Sequence, residues 1–356
     1  MSHRKLLVTG GAGFIGSNLA VKYKQRHPEA RVTALDNLKR RGSELNVPRL
    51  QKAGVEFSHG DIRNPEDLPQ YEVDLILECS AEPSVMAGYD GSPAYLLNTN
   101  LVGTLNCLEF ARSRQADFVF LSTSRVYPIH ALSTLRYAEA ETRFVLAEEQ
   151  PYPGVSALGV AEAFPLQGSR SLYGTTKLAS ELFVEEYGAA YGLKTVLNRC
   201  GVVTGPWQMG QVDQGVFALW MARHYFGGEL SYLGYGGTGK QVRDLLHIDD
   251  LFELVDLQTR ELDLFAGQTF NVGGGLERSL SLRETTDLCE QITGQRITIH
   301  SRPETRAADV PLYVSDHRKI TDLCGWRPVR GAKQALFDIY EWISDNEALV
   351  RDTLRN

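Results

Sequence analysis

Several features that would direct a reading are scarce or missing from this sequence. It has five cysteines, Cys79, Cys107, Cys200, Cys289 and Cys324, an odd number with no Cys-x-x-Cys pair. That pattern argues against a disulfide framework and against a zinc site. Reduced thiols in a cytoplasmic protein fit it better, most of them as small core residues, and no metal is expected. No apolar run approaches the roughly 20 residues of a membrane helix. Met1-Ser2-His3-Arg4-Lys5 carries charge ahead of Leu6-Leu7-Val8, as an export signal does. The run stops at Gly10-Gly11, too soon for such a signal, and reads as a buried first strand. Lys and Arg number 37 against 44 Asp and Glu, a formal net charge of −7. A broad nucleic-acid-binding surface needs the opposite balance, although a local basic pocket remains compatible. Internal repeats, low-complexity tracts and linkers are missing too.

What is present is an alternation of short apolar runs and helical stretches. Strands are expected at Lys5–Thr9, Arg31–Asp36, Val55–His59, Leu75–Cys79, Phe118–Ser122 and Thr195–Cys200. Helices are expected at Gly13–Arg26, Ala94–Arg114 and Leu172–Tyr191. On the second of these helices Leu97, Leu101, Leu105, Leu108 and Ala111 form the apolar stripe. Such alternation implies an α/β fold, a doubly wound parallel sheet with helices on both faces. The stretch 128–170 breaks the rhythm and is too long for a plain connection, so it folds over something. Past Gly205-Pro206 the pattern turns α+β. The division expected is therefore a Rossmann-type domain over 1–203 carrying the insertion 128–170, and a smaller α+β domain over 204–356, with some chain exchange. A cleft between two such domains is the natural ligand site.

Gly10-x-x-Gly13-x-x-Gly16 follows the first strand and opens a helix. Glycine there permits a tight turn, close backbone approach to a pyrophosphate and close helix–sheet packing. The free N–H groups at the helix start, around Phe14 and Ile15, then face the phosphates. Alone, the pattern is equally a structural turn. Asp36 ends the second strand 20 residues after Gly16, where a carboxylate binds a ribose diol and repels a 2′-phosphate, so NAD is favoured over NADP. Arg40 and Arg41 stand close enough to soften that preference. Asp61-Ile62, after the third strand, suits the adenine edge or, equally, a helix cap before Pro65.

Tyr173 and Lys177 stand at i and i+4, on one face of a helix. Alone, such a pair is an ordinary surface feature. Here it accompanies the glycine loop, Asp36 and a hydroxyl cluster, Ser122-Thr123-Ser124, at a strand end. A free tyrosine ionises near pH ~10, and bringing it to neutrality takes about 4 kcal/mol. A neighbouring cation favours the phenolate, which then removes a proton from a sugar hydroxyl as hydride leaves the same carbon.

With these residues in place the sequence resembles the extended short-chain dehydrogenase/reductase family of nucleotide-sugar epimerases and dehydratases. The resemblance runs through Val8-Thr9-Gly10-Gly11-Ala12-Gly13-Phe14-Ile15-Gly16, Asp36-Asn37-Leu38, Gly60-Asp61-Ile62-Arg63 and Asn100-Leu101-Val102-Gly103-Thr104-Leu105. It continues through Ser122-Thr123-Ser124-Arg125-Val126-Tyr127, the Tyr173/Lys177 pair, Arg243-Asp244-Leu245-Leu246-His247-Ile248-Asp249-Asp250 and Leu323-Cys324-Gly325-Trp326-Arg327-Pro328. It implies Thr123, Tyr173 and Lys177 as the catalytic set, with Tyr173 and Lys177 also touching the cofactor. It adds Asn37 and Ser80 to the NAD contacts. Ser124 would meet the substrate, and Arg243, with Arg306 as a second candidate, would bind the diphosphate, a task that suits a guanidinium. The family also implies a homodimer built on the helices 94–114 and 172–191, although Leu97 and Phe183 serve equally as core.

Within the family the similar subgroup is that of CDP-tyvelose (CDP-paratose) 2-epimerases. Gly239-Lys240-Gln241-Val242-Arg243-Asp244, Val212-Asp213-Gln214-Gly215 and Glu139-x-Glu141-Thr142-Arg143 carry this likeness. Dehydratases of the family have an Asp-Glu pair directly after the threonine; Ser124-Arg125 stands there instead, removing the acid and base that expel water. Other departures are Pro128 after Tyr127, Cys79-Ser80-Ala81 in place of a Leu-Ala-Ala-type run, and Gly201-Val202 where many members have Asn. The expectation is epimerisation of a nucleotide-diphosphate sugar through a transient keto sugar, at C2 by the subgroup likeness. The alternatives are a UDP-sugar 4-epimerase using the same machinery, and a non-catalytic NAD-binding sensor.

Overall fold

The computed structural model describes residues 5–89, 91–210 and 215–355. The charged start Met1-Ser2-His3-Arg4 and the Val212-Asp213-Gln214 part of the subgroup motif lie outside the described residues. Strands Lys5–Thr9 (β1), Arg31–Asp36 (β2), Glu56–His59 (β3), Leu75–Glu78 (β4) and Asp117–Thr123 (β5) join Thr195–Cys200 and Gln268–Val272 in one seven-stranded sheet. Its order is β3-β2-β1-β4-β5, then Thr195–Cys200, then Gln268–Val272. The β1–β2, β2–β3, β1–β4 and β4–β5 pairs are parallel. This is the Rossmann-type sheet expected. Parallel strands covered on both faces read as apolar runs, and Leu7, Val8, Leu75, Ile76 and Phe118 are buried accordingly. The order reverses at β1, so the ends of β1 and β4 flank the switch point where such sheets take their ligands.

The chain divides into two compact units. The first comprises 1–123, 172–199 and 252–269, and the second 124–171, 200–251 and 270–356. The core of the first gathers Leu35, Ile62, Ile76, Leu108, Phe118 and Leu197 between sheet and helices. The helix Phe14–Arg26 starts at Gly13 and ends before His27-Pro28, because a residue ahead of proline is driven out of helical geometry. The long helix expected over 94–114 is present with a change: α-helical Ala94–Leu97 and Thr104–Arg114 are joined through a π-helical turn, Asn98–Gly103. Its buried face is Leu96, Asn100, Thr104, Cys107, Leu108 and Ala111, whereas Leu97 is 38% exposed. The simple 3.6-residue stripe failed there because the wider turn rotates one half of the helix against the other. Gly103 sits against Ile62, where an added Cβ would come within 2.5 Å of its Cδ1.

The second unit holds a four-stranded sheet, Val202–Thr204, Val242–His247, Ser279–Ser281 and Leu312–Tyr313. Helices Val216–Phe226, Leu282–Thr293 and Ala332–Asp345 pack on one another. The insertion belongs to this unit and folds onto it. Its hairpin Tyr137–Glu139/Phe144–Leu146 is fixed by Phe144 N–H to Lys240 O, 3.0 Å, and by Lys240 Nζ to Glu139, 2.8 Å. Further along, Val160 exchanges backbone hydrogen bonds with Val314 and Asp316.

The hairpin also reaches the start of the helix Leu282–Thr293, where Ser281 and Glu284 form a capping box. Arg143 pairs with Glu284 through two nitrogens and donates to Ser279 Oγ and O. Burial opposes ionisation of Glu284. The hydrogen bonds from Arg143, the Ser281 N–H and the Thr142 hydroxyl outweigh it and hold the carboxyl below its ordinary value. A carboxyl depressed by folding contributes stability that is present above its unfolded pKa and fades as pH falls through the folded one. Arg143→Ala is therefore expected to cost about 1.5–3 kcal/mol at pH 7, and the difference should shrink below about pH 4. Urea titrations of both proteins at the two pH values check this; an equal loss at both would remove the ionic part of the account.

Candidate active site

The first unit builds its site at the strand ends, beginning with the glycine loop. Gly10 has a φ of +60°, and a Cβ there would meet Cys79 O at 2.8 Å and Ser80 Cα at 2.9 Å. Gly16 is tighter still: its Cβ would lie 2.2 Å from Gly10 O. Gly13 occupies the N-cap position with no side chain bonded to the helix end, which leaves the first turn at Phe14 and Ile15 for an anion. The cradle has no room for side chains, and it fits a dinucleotide's pyrophosphate.

Asp36 closes the loop from behind. Its Oδ2 accepts the Ala12 N–H at 3.0 Å and its Oδ1 the Leu38 N–H at 2.8 Å. Burial raises its carboxyl above the ordinary range, against the pull of those N–H groups and that of Gly13. Asn46 Nδ2 donates to Ala12 O, 2.9 Å, and Arg49 binds Asn46 Oδ1, Ser17 Oγ and Asn18 Oδ1. Burial brings that guanidinium down to about 10. Asn46 and Arg49 went unnoticed in the sequence because they follow no spacing rule.

At the end of β3, Asp61 accepts from Arg63 at both oxygens and from Asn37 Nδ2 at 2.9 Å. The Arg63 hydrogen bond takes its carboxyl down to about 2. Asp61 and Asn37 thus stand together, beside the Tyr95 ring over which Lys39 and Arg63 lie. The Ile62 side chain is spent in the core. Ser80 lies along Gly10 and donates its N–H to Glu78 Oε1 at 3.1 Å.

Thr123 is the last residue of β5 and Tyr173 stands in the first turn of the helix Leu172–Tyr191, which packs on β5. Both are 8% exposed, and Lys177, one turn further, is 1% exposed. Its Nζ lies 3.8 Å from the Phe120 ring centroid and 3.9 Å from Glu78 Oε2. The three hydroxyls of the cluster part company. Ser122 donates into a buried ion pair between Glu181 and Arg199. Ser124 begins a short 3-10 turn of the second unit.

In the second unit Arg243 donates to Val242 O at 2.7 Å, Asp309 Oδ1 at 2.6 Å and Val310 O at 2.8 Å. Its ionic partner is Asp309 rather than the adjacent Asp244, which is fully buried and accepts the N–H groups of Gly275 and Ser315. Arg306 O accepts the Asp309 N–H at 3.1 Å, and Arg125 reaches Ala308 O at 3.0 Å. The segment 306–310 therefore holds the Arg243 side chain and draws in Arg125, with the Arg306 carbonyl closing its turn. Asp309 was not anticipated. Among the described residues no helix is long and apolar enough to cross a membrane, and no group of three His, Cys, Asp or Glu is arranged to hold a metal.

The model of the NAD dependent epimerase/dehydratase family matches residues 6–273. The chain is 32% identical to the CDP-paratose 2-epimerase of Salmonella typhi over 96% of its own length and 99% of the relative's. It is 26% identical to the dTDP-glucose 4,6-dehydratase of Salmonella typhimurium, covering 98% and 95%. The UDP-glucose 4-epimerase of Thermus thermophilus, solved in complex with NAD, superposes with a TM-score of 0.76 at 28% identity, covering 96% of this chain and 99% of that one.

Proposed function

The chain belongs to the NAD dependent epimerase/dehydratase family, whose members act on nucleotide sugars with NAD as cofactor, and from that premise we propose that it interconverts CDP-paratose and CDP-tyvelose at C2. The likeness to a CDP-paratose 2-epimerase along nearly both full lengths carries this reading. The residues after Thr123 support it: Ser124-Arg125 offers no carboxyl pair to expel water, and the Arg125 guanidinium is engaged with Ala308 O. That disfavours dehydration.

Bound NAD supplies a hydride acceptor and, in turn, a donor. The glycine loop and Asp36 hold it, with Asn37, Asp61 and Ser80 beside them. Tyr173 Oη takes the proton from the sugar hydroxyl and later returns it. Lys177 steadies the phenolate by its charge, and Thr123 orients the reacting oxygen with its hydroxyl. Arg243, assisted by Arg306, anchors the diphosphate while the keto sugar turns to present its other face. Ser124 contacts the sugar. A non-catalytic sensor has no use for Thr123, Tyr173 and Lys177 together.

A UDP-sugar 4-epimerase is the second reading, favoured by the likeness to the Thermus enzyme. Incubation with CDP-paratose and with CDP-tyvelose, followed by proton NMR at C2, is expected to give the same mixture from either side and no UDP-galactose from UDP-glucose. Turnover of UDP-glucose with none of either CDP-sugar would overturn the assignment. We further propose a cytoplasmic homodimer. All five cysteines are free thiols, and the helices 94–114 and 172–191 expose Leu97, Val102, Leu182, Phe183 and Tyr191.

A further inference from the structure

Buried strands of a parallel sheet are apolar, and β4 is so until its last residue: Leu75-Ile76-Leu77-Glu78. Glu78 is fully buried. It lies between β1 and β5, in register with Thr9 on one side and Phe120 on the other. One carboxylate oxygen, Oε1, accepts the Ser80 N–H at 3.1 Å and the Thr9 hydroxyl at 3.5 Å. The other, Oε2, accepts no hydrogen bond among the described residues and lies 3.9 Å from Lys177 Nζ. That separation is too long for a hydrogen bond and within reach of an ion pair. The ammonium also lies over the Phe120 ring. Two ionisable groups buried together in this way carry a high desolvation cost, and nothing in the folding of β4 requires a carboxylate at its end.

We infer that Glu78 is a positioning residue for the reaction: its buried carboxylate keeps Lys177 charged and in place, and through Lys177 it sets the acidity of Tyr173. This rests on the reading of Tyr173 and Lys177 as the proton-transfer pair. A lysine buried to this degree tends to shed its proton, because a low-dielectric surround penalises the charged form, and a carboxylate within about 4 Å reverses that tendency. Without the ammonium the Tyr173 phenolate loses its stabilising charge. Glu78 touches neither sugar nor hydride; it acts through the lysine.

Burial pushes the Glu78 carboxyl up to about 6, against the pull of Lys177 and the hydrogen bonds from Ser80 and Thr9. The titratable groups facing it are Lys177 from the helix Leu172–Tyr191 and Cys107 from the helix Thr104–Arg114. Burial, then the charge of Glu78, raises the Cys107 thiol well above its ordinary value. The neighbouring strands present Thr9 and Phe120, which do not titrate. Glu78 therefore carries its charge above about pH 6 and loses it below.

Glu78→Gln keeps the shape and the acceptor for Ser80 and Thr9, and removes the charge. The test is an ultraviolet titration of the tyrosine phenolate in the NAD-loaded protein without substrate. Subtracting the matching Tyr173→Phe protein isolates Tyr173. In E78Q the Tyr173 ionisation is expected to move up by one pH unit or more, with NAD content unchanged. On substrate, kcat should fall about tenfold at pH 7 with KM little altered, since one pH unit is a tenfold change in the phenolate fraction. The acid limb of the kcat profile should move to higher pH together with the Tyr173 ionisation. An unmoved or lowered Tyr173 ionisation overturns the inference. Should E78Q fail to fold, Glu78→Asp carries the test: it keeps the charge but withdraws it by about 1.5 Å. It is then expected to shift Tyr173 upward by a smaller amount, and no shift overturns the inference equally. Failure of the underlying reading shows separately, as turnover by the Tyr173→Phe protein.

Discussion

Tyr173→Phe is expected to leave a folded, NAD-loaded protein whose turnover of its nucleotide sugar is lower by a factor of roughly 10²–10⁴, the range that positioned proton transfer contributes. The ring is buried in the first turn of its helix, where phenylalanine fills the same space. Its backbone oxygen keeps the Thr176 hydroxyl at 2.8 Å. The loss should therefore fall on kcat, with little change in substrate affinity, because the missing hydroxyl matters as the proton moves. Steady-state rates, together with NAD released on denaturing the protein, check both halves. A variant that keeps more than a tenth of the wild-type rate would remove Tyr173 from the proton's path, and loss of the NAD would make it a binding residue instead.

Arg199→Met should produce the largest loss of stability. The Arg199 guanidinium grips Glu181 with Nε at 3.1 Å from each oxygen and Nη2 at 2.7 Å from Oε2. Both side chains are nearly fully buried, and Ser122 donates to the same carboxylate. Removing one partner of such a pair strands the other charge in the interior, which costs about 3–5 kcal/mol. Replacing both, as in Glu181→Leu with Arg199→Met, should restore much of that, because the desolvation penalty goes with the charges. Denaturant unfolding of the two variants decides it. A single variant within about 1 kcal/mol of the wild type would show that water reaches the pair. Thr123 adjoins Ser122, so the single variant should also disturb the end of β5.

The sheet was legible because its signals are local and strong: apolar runs of strand length, each closed by glycine or a polar residue, alternating with helical stretches. The glycine loop, Asp36 and the Tyr173/Lys177 spacing stood out as candidates for the same reason, each proposed chemistry needing a fixed residue type at a fixed separation, whereas Thr123 was singled out of its hydroxyl cluster only by the family resemblance. What could not be read are the partners that arrive from far along the chain. Asp309 meets Arg243 across 66 residues, Glu181 meets Ser122 across 59, and Glu78 meets Lys177 across 99. A carboxylate ending an apolar strand was the one visible hint of the last. The insertion was recognisable as an interruption, but the surface it lies on was not, since Lys240, Val314 and Glu284 carry no mark of the hairpin that reaches them.

The π-helical turn at Asn98–Gly103 has a consequence for how this protein tolerates change. An α-helix advances each side chain by about 100°, so one helix cannot freely choose the bearing of two faces. Asn100 must aim its side-chain amide at Glu82 O and Thr176 Oγ1 and its backbone carbonyl at the Ser180 and Thr104 hydroxyls, while Cys107, Leu108 and Ala111 must meet the sheet. The wider turn acts as a phase adjuster between those two demands. Winding that turn as regular α-helix with every residue kept would set one face wrong by roughly a quarter turn, so substitutions that favour regular winding there should be poorly tolerated, whereas deleting a single residue from the turn should leave the two faces in phase.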